Sequence, residues 1–377
     1  MHGAAGLTMA ADIARPWRVP LLLLAFISLF VGVGAGLARL GWPSPGVSLA
    51  AVHGPLMASG FFGTVISLER AVALGRSWAY GAPLASGLGA LAAMLSMPFG
   101  LAPALSMLGA AVMLAASISV YRRQRELFVL TLVLGAASWT GGNLLWLVGV
   151  PIHAVVPWWI AFLVLTIAGE RLELSRLLRP SPVAKRVFAA LLVILLAGVA
   201  LSAVAWAAGT LMLGFALACL AVWLMRQDLA RRTVRTRGLT RFIAVCLLSG
   251  YGWLAASGLT MLAAGGLGYA GPIYDAALHA VLLGFVFSMV FGHAPIILPA
   301  VLRVNVPYHP YFYAPLVLLH ASMLIRFAAD IALQPGWRAW GGALNGLALL
   351  AFVLGTAGAV LRGSQALRMA PIRGELK

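Results

Sequence analysis

The sequence predicts an all-α fold, a polytopic membrane bundle of about twelve transmembrane helices in one integral membrane domain, residues 1–377. The first supporting observation is composition, because 62% of the residues are hydrophobic, 9% are charged, and the mean hydropathy is +1.00. A soluble domain of this length cannot bury so large an apolar fraction. The other two observations are the spacing of the apolar segments and the distribution of positive charge between them.

Apolar windows of about 20 residues are long enough to cross the hydrocarbon core of a bilayer. Arg15 and Arg18 precede the first window without a small-residue cleavage site, so we expect a retained first span and not a signal peptide. Short connections separate the windows, and none is long enough to form a separate domain. The twelve windows are 18–39, 47–72, 79–98, 101–121, 127–148, 154–172, 186–206, 208–226, 239–264, 273–301, 311–332 and 338–361.

Positive charge alternates between the loops. Basic loops stay on the cytoplasmic side of a membrane, so we expect these loops and both termini in the cytoplasm, and the chain as a multi-pass protein of a bacterial inner membrane. The opposite loops, near Pro98, Pro151, Ala207, Gly265 and Pro335, carry almost no positive charge. The basic loops contain Arg122, Arg123 and Arg125; Arg176, Arg179, Lys185 and Arg186; and Arg231, Arg232, Arg235, Arg237 and Arg241.

The same pattern decides which partners the net charge of +17 favours. Arginines confined to the gaps between apolar segments indicate membrane lipid as the partner and argue against nucleic acid. Tryptophans near the ends of the predicted spans are expected at the membrane interface, where an indole meets both lipid and headgroups. These are Trp42, Trp158, Trp159, Trp337 and Trp340.

Four histidines lie inside predicted spans, where an ionisable side chain is costly and marks a candidate functional site. His279 and His293 are fourteen residues apart on one predicted helix. Their rings therefore point within about 40° of each other and lie about 21 Å apart along the axis. Counting residues from the span ends places His53 at the depth of His279 near the outer surface, and His320 at the depth of His293 near the inner surface.

Two imidazole pairs at matched depths predict axial ligation of two b-type hemes stacked across the bilayer. His53 and His279 would hold the outer heme, and His293 and His320 would hold either a second heme or copper, since imidazole suits both metals. The alternative is that each histidine only forms hydrogen bonds between helices. Expected heme walls and propionate partners are Phe61, Phe62, Phe285, Phe287 and Phe291, with Arg39 and Arg326 outside and Arg70 and Arg303 inside.

Several neighbouring residues have two interpretations. A proline follows two residues after His53 and after His293, where it would open the helix beside the imidazole or serve packing alone. Met57, one turn after His53, is a candidate soft metal ligand or a core residue.

Asp275, one turn before His279, would orient that ring or cap the helix start. Arg326 and Asp330, one turn apart, would neutralise each other. Surface roles are expected for His153 and His309.

The residues also resemble the NnrS family of polytopic membrane proteins, which bind heme and copper and are associated with nitric oxide metabolism. Asp275, Leu278, His279 and Ala280, followed by Gly284 and Met289, resemble that family's D-x-x-L-H-A stretch with its later Gly and Met. The segment from His53 to Phe61 is similar to its H-x-H-E-M-x-x-G-F element, with Pro55 and Leu56 in place of the second His and the Glu. Gly169-Glu170-Arg171 is similar to its G-G-R element.

The resemblance implies a heme-binding protein that handles or responds to nitric oxide, or takes part in the associated electron transfer. A redox partner and nitric oxide are then the expected non-lipid partners. The arrangement of twelve spans, with histidines on the second and tenth, is distantly similar to the catalytic subunit of heme-copper oxidases and nitric oxide reductases. Predicted spans six to nine, however, contain no histidine for an oxidase-type copper site.

Six-coordinate hemes would only pass electrons, whereas an open iron position would bind or reduce nitric oxide. The alternatives are a cofactor-free secondary transporter with proton- or substrate-coupling histidines, and an accessory protein that inserts or stores heme or copper. No catalytic residue can be named from the sequence.

Overall fold

The computed structural model describes residues 12–44, 47–98 and 100–369, and within these residues the chain is helical with no strand. Twelve principal helices follow one another. Their ranges are α1 Arg18–Arg39, α2 Ser48–Leu74, α3 Gly81–Met94, α4 Leu101–Arg123, α5 Leu127–Leu147, α6 Ile152–Ser175, α7 Pro182–Ser202, α8 Trp206–Gln227, α9 Gly238–Ala263, α10 Pro272–Leu302, α11 Tyr313–Ile331 and α12 Pro335–Met369.

Eleven of these helices are long and apolar enough to cross a membrane, which is consistent with a multi-pass membrane protein. They correspond to eleven of the twelve apolar windows. The exception is the window 79–98, where α3 has 14 residues and a length of about 21 Å. Residues 1–11 and 370–377 lie outside the described part of the chain, and so does the predicted location of the two termini.

Local sequence explains where several helices begin and end. Proline occupies the first position of α7 and of α10, where its missing N–H costs no intrahelical hydrogen bond. The Ser181 hydroxyl accepts a hydrogen bond from the Ala184 N–H at 3.1 Å and caps the start of α7. Gly75 ends α2 with φ of +64°, a conformation that favours glycine.

Helices adjacent in the chain pack against each other throughout, and α12 returns to pack against α1. Glycines permit the closest approaches: a Cβ on Gly209 would lie 2.1 Å from the Ser202 nitrogen between α7 and α8. The two helices that carry the outer histidines, α2 and α10, also meet. Phe61 of α2 stacks on Phe287 of α10, with ring centroids 5.8 Å apart.

Both of these helices contain a π-helical segment directly after the histidine region. In α2 it covers Leu56–Gly63, starting next to Pro55, and in α10 it covers Ala280–Phe285, starting next to His279. The helix thus widens after Pro55, whereas the proline was expected to open it beside the imidazole, where His53–Pro55 is regular α-helix. Around His293 the helix continues regularly through Pro295 and Pro299. Widened turns of this kind are frequent at functional sites.

Candidate functional site

A cavity of about 470 Å³ lies between α1, α2, α6, α10, α11 and α12, at the ends of α2 and α10 that carry His53 and His279. Its size falls in the range of small-molecule and cofactor sites. Phe62 of α2, Trp159 of α6 and Phe287 of α10 provide aromatic walls, and Arg39, Arg326 and Arg338 bring positive charge. Of the five phenylalanines predicted to wall a heme, Phe62 and Phe287 line this cavity.

His53 is held against α1. Its Nδ1 lies 2.7 Å from the Gly32 carbonyl oxygen, and since a carbonyl can only accept, Nδ1 carries the proton and Nε2 has the free lone pair. The ring packs closely on Gly36, where a Cβ would lie 2.8 Å from the His53 Cε1. The backbone carbonyl thus fixes the tautomer that a metal ligand bound through Nε2 requires.

His279 is held in the same tautomer by its own helix. Its Nδ1 lies 2.9 Å from the Asp275 carbonyl oxygen and 3.2 Å from the Asp275 carboxylate Oδ1. The guanidinium of Arg326 lies beside this ring, with Nη2 3.2 Å from Nε2. A metal bound to Nε2 would have to displace this guanidinium.

The two rings face the same cavity, with centroids 6.4 Å apart and planes inclined by 20°. Two imidazoles that bind one metal ion from opposite sides place their centroids about 6 Å apart, because metal–nitrogen bonds are about 2 Å long and each nitrogen lies about 1 Å from its centroid. The observed separation fits this requirement. The cavity also offers the apolar walls and the cations that a heme and its propionates need.

The ion pairs at the cavity differ from the predicted pair of Arg326 with Asp330. Arg326 does not pair with Asp330; its Nη2 binds the Asp275 carboxylate at 2.8 Å. Asp330 pairs with Arg338, whose Nε lies 3.0 Å from Oδ1. The prediction failed because the i, i+4 spacing of Arg326 and Asp330 says nothing about an acidic group on another helix. Asp275 on α10 offers a partner to Arg326 on α11.

The inner histidines have separate partners. His293 Nδ1 lies 2.6 Å from the Met289 carbonyl oxygen, and its Nε2 lies 2.8 Å from Nη2 of Arg171 on α6. His320 Nδ1 accepts a hydrogen bond from the Trp253 indole at 2.9 Å, so its proton is on Nε2, which has no partner in the described residues. In this tautomer Nε2 lacks the lone pair that a metal requires. The inner heme or copper site stays a prediction.

The remaining candidates lie in different surroundings. Met57 lines the cavity and packs on Gly32, where a Cβ would lie 2.7 Å from its sulfur. Arg70 forms an ion pair with Glu170 between α2 and α6, away from the cavity. His153, for which a surface role was expected, lines the cavity and contacts Tyr269, with ring centroids 4.9 Å apart. His309 is exposed and accepts a hydrogen bond from the Tyr311 N–H.

A buried hydrogen-bond network beside the cavity was missed. The Asn143 side-chain oxygen accepts from the Ser59 hydroxyl at 2.9 Å and from the Trp159 indole at 3.2 Å, and its amide donates to the Ser106 carbonyl at 3.2 Å. Trp159 was predicted to anchor at the interface, but it is only 1% exposed. The available signal was an uncharged amide within an apolar window, since a buried amide needs partners.

Comparison with known proteins gives a family without a described activity. No curated protein matches this chain. The family model described as a domain of unknown function, DUF8744, matches residues 18–361, which includes eleven of the principal helices and most of α12. Since this match extends over most of the sequence, the chain belongs to the DUF8744 family.

Proposed function

We propose that this protein is a bacterial inner-membrane b-type heme protein of the NnrS kind, which handles nitric oxide or passes electrons in that context. The observation that carries the proposal is the pair of imidazoles from α2 and α10, 6.4 Å apart across one cavity. Support comes from the backbone carbonyls that hold both Nδ1 atoms, because each leaves Nε2 for a metal.

Each part of the cavity has a role in this proposal. His53 and His279 would hold one heme, and Phe62, Trp159 and Phe287 would line its pocket and exclude water. Arg39, Arg326 and Arg338 would neutralise the propionates. A bound heme supplies a one-electron iron couple. We place one heme at His53 and His279. Metal analysis of the purified protein tests the second heme or copper predicted at His293 and His320.

The membrane topology is part of the proposal. We infer that α3 crosses the membrane as a twelfth span, because only then do the basic loops after α4, α6 and α8 lie on the same side as Arg15 and Arg18 at the start of the first span. Both termini then lie in the cytoplasm. The 3₁₀ turn Ser77–Tyr80 extends α3 at its start, which adds reach to a helix of 14 residues.

The test is the optical spectrum of the purified protein, with pyridine hemochrome and metal analysis. We expect b-type heme in the wild type and a loss of at least tenfold in heme content in His53→Ala and in His279→Ala. His309→Ala is the matched control, because this exposed imidazole lies outside the cavity, and it should retain the heme.

A folded preparation without colour or metal would overturn the proposal. The cavity with its ionisable side chains would then favour the cofactor-free transporter. The iron content also gives the number of heme sites. One iron per chain in both the wild type and His320→Ala would restrict the heme to His53 and His279. Two irons per chain would instead support the inner site.

A further inference from the structure

The carboxylate of Asp275 joins three side chains at the edge of the cavity. One oxygen, Oδ1, lies 3.2 Å from Nδ1 of His279. The other, Oδ2, lies 2.8 Å from Nη2 of Arg326 on α11 and 3.5 Å from Nε of Arg338 on α12. One carboxylate therefore connects the His279 imidazole with two cations from neighbouring helices.

This arrangement decides between the two interpretations of Asp275. A capping carboxylate would accept hydrogen bonds from N–H groups in the first turn of its own helix. The start of α10 has no side-chain cap, and both Asp275 oxygens are directed to other side chains. The carboxylate therefore acts on His279 and on the arginines, and not on the helix end.

The other intramembrane histidines lack such a group. His53 and His293 each direct Nδ1 to a backbone carbonyl, and no acidic side chain lies within ion-pair distance of either ring in the described residues. His320 accepts from an indole. Among the four, only His279 combines the backbone contact with a carboxylate in the part of the chain that the structure describes.

We propose that Asp275 is a positioning residue that fixes the Nδ1–H tautomer of His279 and makes its Nε2 a stronger ligand, an inference that rests on the proposed heme site. Negative charge at Nδ1–H increases electron density on the imidazole. A stronger donor favours the oxidised metal over the reduced one, so Asp275 lowers the reduction potential of the site. Through Arg326, the same carboxylate also holds a cation at the cavity edge.

The test compares Asp275→Asn and Asp275→Glu with Asp330→Asn in the heme-loaded protein. Asp330 is the matched control, because it shares Arg338 with Asp275 but does not contact His279. Redox titration of the optical spectrum gives the potential, and heme transfer to a scavenger protein gives the dissociation rate. Size-exclusion profile and helical circular dichroism report on folding.

We expect Asp275→Asn to raise the potential and to weaken heme retention by about 10–100-fold. Asp275→Glu keeps the carboxylate, so its reduction potential and heme retention should lie between those of the wild type and Asp275→Asn. If Asp275→Asn does not fold, Asp275→Glu provides the comparison with the wild type. Asp330→Asn should leave the potential unchanged. Wild-type protein without heme would overturn the proposed function together with this inference. Heme-loaded variants with unchanged potential and retention would overturn the inference alone, and so would an equal shift in Asp330→Asn.

Discussion

The glycines of α1 set the position of the His53 ring. Gly32 supplies the carbonyl that accepts from Nδ1, and Gly36 supplies the space beside the ring, where a Cβ would lie 2.8 Å from Cε1 and 3.0 Å from Nδ1. A methyl group at this point must displace the imidazole, because Cβ contacts under 3.0 Å are essentially never seen in folded proteins. The orientation of a metal-ligand candidate thus depends on a residue with no side chain.

Gly36→Ala should therefore lower the heme content several-fold while the helical fold is retained. Introducing extra atoms into packed space costs about 1–3 kcal/mol, and here the ring rather than the backbone can move. Gly34→Ala on the same helix is the control, since its Cβ would contact only the Ser44 hydroxyl, at 3.3 Å. Full heme content in Gly36→Ala would show that the contact with α1 does not position the ligand.

A second residue-scale contact stabilises the opposite side of the bundle. The hydroxyl of Tyr251, which is fully buried in α9, donates a hydrogen bond to the Asp228 carboxylate after α8. Asp228 is 3% exposed and also accepts from the Ala230 N–H at 2.8 Å. Hydrogen bonds to buried charged groups contribute more than neutral ones, because an unpaired buried charge is costly.

Tyr251→Phe should lower the free energy of unfolding by about 1.5–3 kcal/mol. Thermal unfolding in detergent, followed by circular dichroism, measures the effect. Tyr269→Phe removes a hydroxyl from a side chain that is 61% exposed, and it should leave the transition unchanged. Equal transitions for the two variants would show that the Asp228 contact contributes nothing to stability.

At the scale of elements, the π-helical segment of α2 needs polar partners from other helices. A widened turn frees backbone carbonyls from the regular i to i+4 pattern. The Ser59 carbonyl accepts a hydrogen bond from the Ser86 hydroxyl of α3 at 2.6 Å, and the Ser59 hydroxyl donates to Asn143 of α5. The network thus fixes the helix that carries His53 against α3 and α5.

Asn143→Ala should destabilise the protein by about 1–3 kcal/mol for each buried donor left without an acceptor. The donors are the Ser59 hydroxyl and the Trp159 indole. Thr140→Ala, one turn earlier on α5, is the control, because its hydroxyl bonds only within its own helix, to the Ala136 carbonyl. An Asn143→Ala transition equal to that of Thr140→Ala would exclude a structural role for the network.

Sequence patterns predict these elements unequally. Hydropathy is a property of single segments, so the apolar windows correspond to the helices of the structure. The π-helical segments depend on contacts between helices, and no periodicity marked them. Depth along a helix follows from residue counting, which correctly brought His53 and His279 to one cavity. Counting does not give the rotation of one helix relative to its neighbours, so equal depth did not bring His293 to His320. His293 contacts Arg171, and His320 contacts Trp253.

At the scale of the whole molecule, α3 decides the topology of the bundle. Its 14 residues have a length of about 21 Å, against a hydrocarbon core of about 30 Å. If α3 does not cross, every later segment changes orientation, and the basic loops after α4, α6 and α8 lie on the side opposite to Arg15 and Arg18 at the start of α1. A helix buried between α1 and α4 can cross with its ends in the interface, because neighbouring helices shield its connections.

Ser77→Cys and Met97→Cys should therefore react with a membrane-impermeant maleimide from opposite sides of the membrane, Ser77 from the cytoplasm and Met97 from outside. Met97 is 48% exposed, whereas the native Cys246 is buried, so labelling should report the introduced thiol once Cys219 is replaced by Ser. Gln124→Cys in the basic loop after α4 should react from the same side as Ser77→Cys if α3 crosses, and from the opposite side if it does not. Labelling of Ser77→Cys and Met97→Cys from the same side would show that α3 does not cross, which would place the two termini on opposite sides and leave eleven spans. The cavity would then still form between the same helices, because its walls come from packing within the bundle and not from the orientation of the bundle in the membrane.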